Sequence, residues 1–184
     1  LSVDLDFFIR LAVVDDDQIE SLQSELALLA LAIPQRDDGT ARESTIQRVI
    51  QLAEDSPKKA KLQQAAAFSL LQAGKVESGR KFIQRLAQLE GNDSTSFTLT
   101  NAKFEAASGN LKLATDGLLT FASNHPDDAT ELKMLAAEYI AREKDIDRAY
   151  EVLMGIPVLQ HTPESCFRLF TYALANLPLP VTNE

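Results

Sequence analysis

TSFTLTNAKFEAASGNLKLATDGLLTFASNHPDD, residues 95–128, is the stretch whose reading decides the fold. Phe97, Ala102, Phe104 and Ala106 form an apolar-periodic run, and Gly109-Asn110 interrupts it. Leu111, Ala114, Leu118 and Phe121 then form a second run that His125-Pro126 closes. Apolar residues recurring in steps of three and four mark the buried stripe of a helix. Glycine marks a helix C-terminus, because the left-handed residue there costs it nothing sterically. The stretch therefore predicts a helical hairpin.

The neighbouring segments echo it. Counting 35 residues either way from Gly109 reaches Gly74 and Lys144, from Ala102 reaches Ala67 and Ala137, from Ala114 reaches Gly79 and Ala149, and from Leu118 reaches Ile83 and Leu153. A fixed period of this size is the signature of stacked repeats, each a supersecondary unit that cannot bury its own apolar face. Three repeats are expected at 58–93, 94–128 and 129–162, so that 58–162 forms the body of an all-α superhelix, an α-solenoid of antiparallel helix hairpins. Residues 1–57 are expected to add N-terminal helices. Val3, Leu5, Phe7, Phe8 and Leu11 suit a short apolar-striped helix, and Asp17 with Glu20 forms a capping box for a helix ending before Pro34. Residues 35–42 read as a polar turn and 44–54 as a helix carrying Ile46, Val49, Ile50 and Ala53. Gly39, 35 residues before Gly74, makes this region a degenerate repeat. Residues 163–184 are expected to hold a capping helix over 164–177, with Pro178 and Pro180 ending it.

Composition supports a helical reading. With seven Gly and seven Pro in 184 residues, the chain lacks the closely spaced turns that a β-sandwich needs. The formal charge of -9 argues against a nucleic-acid partner, since phosphate neutralisation needs a basic face. That charge is uneven: residues 57–125 carry 9 basic and 5 acidic side chains, while both flanks are acidic. The simplest account is a solvated basic face between acidic ends. A lone Cys166 forms no internal disulfide, which fits the cytoplasm without excluding the periplasm. The longest apolar run, residues 26–33, is far short of the ~20 residues a membrane span needs, so no membrane insertion is expected.

In order and spacing, Ala102, Gly109, Ala114, Leu118 and Pro126 resemble the tetratricopeptide (TPR) repeat, and Ala67, Gly74, Gly79 and Ile83, then Ala137, Ala149 and Leu153, continue the likeness. The family's early Trp is missing, Ala stands where Gly is commonest in the first helix, and Lys144 replaces the turn glycine. The resemblance implies that first helices line a concave groove. Its partner-binding positions here would be Lys61, Gln64, Phe68 and Gln72, then Ser96, Leu99 and Lys103, then Glu131, Met134, Glu138 and Arg142. Phe68, Leu99 and Met134 would form an apolar track suited to a partner helix or extended peptide. Gln64, Phe68 and Thr100 stand where the family's carboxylate clamp needs Lys and Asn, which argues against that mode of tail binding.

The expectation is thus a non-catalytic scaffold or adaptor for another protein, with self-association through the terminal helices (Phe7, Phe8, Phe167, Phe170) as a second partner expectation. The same architecture resembles bacterial secretion and pilus-assembly chaperones or adaptors. A third reading, suggested by the start at Leu1 rather than Met, is a regulatory or docking domain of a larger enzyme. Catalytic and cofactor signals are weak. His125 and His161 sit at closing turns, outside triad-like spacing with Cys166 or a serine, and Cys166 reads as a small core residue of the closing helix. No glycine-rich phosphate loop follows a strand, so no cofactor is expected. The acidic run Asp15–Asp17 lacks the glycine and ligand spacing of a calcium loop, and no metal is expected.

Overall fold

The computed structural model describes residues 39–175; the expected helices over 1–14 and 17–33, and the tail after residue 175, lie outside the described residues. All regular structure among the described residues is helical, and the chain divides after Leu89 into two compact units.

In the first unit α1 (Gly39–Asp55) packs on α2 (Ala60–Gln72), and α3 (Val76–Glu90) follows. Ile46, Val49, Leu52 and Ala53 form one buried stripe of α1, and Leu62, Ala66, Ala67 and Leu70 that of α2. The buried Gln63 amide joins them, its Nε2 donating to the carbonyls of Ala53 (2.6 Å) and Ser56 (3.4 Å). The turn expected over residues 35–42 is shorter at its end than the sequence suggested: α1 already begins at Gly39. Nothing after Gly39 breaks a helix, and Ala41, Arg42 and Glu43 are good helix formers.

The second unit contains α4 (Thr95–Ala107), α5 (Leu111–Asn124), α6 (Ala129–Arg142), α7 (Ile146–Met154) and α8 (Pro163–Ala175), each packed on the next. Short 3-10 turns, Pro126–Asp128 and Val158–Gln160, precede α6 and α8. Two buried clusters hold these helices together. Ala102, Ala114, Leu118, Leu132 and Ala136 join α4, α5 and α6. Ala137, Ile140, Ala149, Leu153 and Ile156 join α6 to α7, with Leu169 and Tyr172 of α8 packed on them.

The 35-residue spacing recurs in the backbone. Helices α3, α5 and α7 start at Val76, Leu111 and Ile146. The residues that end the preceding helices, Gly74, Gly109 and Lys144, have φ of 74°, 93° and 67°. Around each, two hydrogen bonds close the helix identically: Lys75, Asn110 and Asp145 donate to the carbonyls of Leu70, Glu105 and Ile140, and Gly74, Gly109 and Lys144 to those of Leu71, Ala106 and Ala141. This double closure satisfies carbonyls that a helix end otherwise leaves unpaired. The small residues at the recurring positions, Ala67, Ala102 and Ala137, are all buried, so neighbouring helices approach closely there.

Candidate functional site: a groove on the second unit

The first helices of the second unit, α4, α6 and α8, line an open groove of about 770 Å³. Its floor is apolar, made by the half-buried Met134 and Leu135 of α6 with Pro163 at the start of α8. Hydroxyl tethers shape the surroundings. Thr95 donates to the Asp128 carboxylate (2.7 Å), and Thr130, 35 residues on, donates to the Gln160 side chain (2.6 Å). Each tether pins the start of a first helix to the turn that closes its own hairpin.

A chain of ion pairs forms the wall toward the C-terminus. The Arg168 guanidinium on α8 reaches Glu138 of α6 (3.2 Å) and Glu164 on its own helix (2.8 Å), and Glu138 also pairs with Arg142. Burial opposes charge on Arg168, yet its hydrogen bonds to Glu164 and Glu138 outweigh this and raise its pKa. Arg142 lies over the Tyr139 ring, 5.4 Å from its centroid.

Lys103, Glu131, Met134 and Glu138, four of the residues expected at a groove, line this one together. Arg142 adjoins it through Glu138. Leu99 does not line it: this residue is half-buried and packed on the core cluster of α4, α5 and α6. Ser96 is exposed on α4 outside the lining. On α2 of the first unit, Lys61, Gln64 and Gln72 are exposed and Phe68 is half-buried.

Sequence reasoning missed the contribution of α8, above all Arg168. One signal was present, since Glu164 precedes Arg168 by four residues on an expected helix. The reading of Cys166 as a core residue is corrected, because its side chain is exposed. Helix α8 turns Ser165, Leu169 and Tyr172 inward, and Cys166 lies off that stripe. Phe167 and Phe170 likewise face outward, with exposures of 70% and 62%.

The histidines are tied into turns. His125 stacks on Phe121, with ring centroids 4.0 Å apart, and its Nε2 lies 3.3 Å from the Asp93 carboxylate. His161 Nδ1 lies 3.0 Å from Ser165 Oγ, a pair that resembles half of a nucleophilic dyad. Ser165 is fully buried, however, and its hydroxyl lies 2.9 Å from the Thr162 carbonyl, to which it donates, so it is not presented to a substrate. That arrangement fastens the start of α8, where Thr162 Oγ1 accepts from the Ser165 backbone N–H (3.2 Å).

No group of three or more His, Cys, Asp or Glu among the described residues could hold a metal ion. Nor is any described helix long and apolar enough to cross a membrane. Compared with protein-family models, characterised proteins and solved structures, the chain matches none.

Proposed function

We propose that this protein is a non-catalytic adaptor, a tetratricopeptide-like helical superhelix that holds a segment of another protein in the groove of its second unit. The observation that carries this reading is the convergence of α4, α6 and α8 on one cavity with an apolar floor and charged walls. An apolar floor supplies the burial that drives association, and charged walls set orientation and partner choice. The volume, about 770 Å³, accommodates a few side chains of an extended or helical segment rather than a whole folded surface. The recurring helix starts and helix-end geometry support the repeat architecture.

Exposed groove positions give the cleanest test, because Met134 also packs against the core. Lys103 and Glu131 are exposed. A pull-down from native cell extract would compare wild type with Lys103→Glu/Glu131→Lys and with Lys103→Trp, a bulky side chain placed in the groove. Circular dichroism would first establish that all are folded. A partner captured by wild type and lost from both variants is expected; a partner retained equally by both would place binding elsewhere and refute the reading.

A further inference from the structure

We propose that the segment held in this groove is cationic: a peptide stretch bearing lysine or arginine next to an apolar anchor. The inference rests on the groove being the binding site. Its charged lining is strongly unequal, with Asp127, Asp128, Glu131, Glu138 and Glu164 against Lys103 and Arg168. The internal pairing does not correct this. Arg168 is already engaged by Glu138 and Glu164, and Arg142 adds a second cation to Glu138, so that wall is satisfied within the protein.

The other end is left acidic. Among the described residues, neither Asp127 nor Glu131 has a cation in pairing distance, and Asp128 accepts only the Thr95 hydroxyl. These three carboxylates stand on the 3-10 turn before α6 and on its first turn, beside the floor formed by Met134 and Leu135. An incoming Lys or Arg would meet carboxylates that no cation among the described residues neutralises, while its apolar neighbour covered Met134. An acidic tail would meet like charge there, a repulsion that rejects wrong partners. Because the acidic end is exposed, the attraction acts mainly on encounter and weakens with salt.

Selection of a random short-peptide phage library on the whole chain, followed by fluorescence anisotropy with the enriched peptides, tests this. Peptides of net positive charge should be enriched, and their binding should be blocked by Lys103→Trp. Asp127→Asn/Glu131→Gln should weaken them about tenfold, as expected for losing two partly screened pairs. Asp147→Asn/Glu151→Gln, an equal charge change at exposed positions of α7 outside the groove, should leave them unchanged. Equal weakening by the α7 pair would mean bulk attraction and overturn the proposal. Neutral or acidic peptides still blocked by Lys103→Trp would overturn the charge inference and leave the groove reading standing. Enrichment of nothing, or only of peptides indifferent to Lys103→Trp, would sink both.

Discussion

Lys144 is the residue at which the repeat is most open to a quantitative test. It ends α6 with φ of 67°, in the position that Gly74 and Gly109 occupy with φ of 74° and 93°. A residue with a Cβ loses about 1–2 kcal/mol in the left-handed region relative to the right-handed one. Replacing it by glycine removes that strain but gives the unfolded chain more freedom, which takes back about 0.4–1 kcal/mol. A third effect is that a lysine at a helix C-terminus interacts favourably with the helix dipole, by about 0.3–1 kcal/mol. Lys144→Ala keeps the strain and loses the charge, so Lys144→Gly compared with Lys144→Ala isolates the backbone. The glycine variant should be more stable than the alanine variant by about 0.5–1 kcal/mol, raising Tm by about 1–4 °C for a chain of this size. The reciprocal change is Gly109→Ala. A Cβ there meets nothing within 4 Å, so its cost is again backbone strain less the unfolded-chain term and should match that difference in size with opposite sign. Urea denaturation and thermal melts followed by circular dichroism would measure both. Equal stability of the Gly and Ala variants at 144 would refute the equivalence of the three helix ends.

Three further outcomes follow from the packing. Ala102→Leu should overpack the contact of α4 with Ala114 and Leu118 and cost about 1–3 kcal/mol in urea denaturation, whereas Ala107→Leu, at an exposed position, should stay within about 0.5 kcal/mol of wild type. Gln63→Leu should destabilise by about 1–3 kcal/mol because the buried Ala53 carbonyl loses its donor, partly offset by removing the buried Oε1, which has no partner. Tyr139 titrates above its ordinary value of 10.0 because of burial first and the Glu138 carboxylate second, with Arg142 opposing. Since the folded pKa is the higher one, its stabilising contribution is complete below about pH 10 and is lost as pH rises through the folded value. Tyr139→Phe should therefore flatten the alkaline loss of stability, and an unchanged profile in pH-dependent urea melts would count against this.

Sequence periodicity alone was enough for the helix hairpins, because their causes are local: apolar residues in steps of three and four, small residues where helices approach, and glycine where a helix ends. It reached Gly74 and Gly109, and the polar break at 143–145 that holds Lys144, whose left-handed backbone shows that neighbouring hydrogen bonds can impose a conformation its residue type disfavours. Less of the candidate site was legible, four of its thirteen lining residues. Lys103, Glu131, Met134 and Glu138 come through the resemblance, which assigns the exposed face of each first helix to a groove.

Tertiary structure decided the rest. Helix α8 carries two apolar stripes, Leu169 with Tyr172 and Phe167 with Phe170 and Leu174, and spacing cannot choose between them. The choice is made by packing against Ala137, Ile140 and Leu153 and by the reach of Arg168 to Glu138, 30 residues away in sequence. With α8 set that way, Cys166 and the two phenylalanines face out, and Arg168 closes the groove wall. Leu99 shows the same limit from the other side, since an apolar residue on a helix face serves a core or a groove according to what the neighbouring helix brings to it. Local pattern determines which faces are apolar; only the contacts between helices determine which of them stay available to a partner.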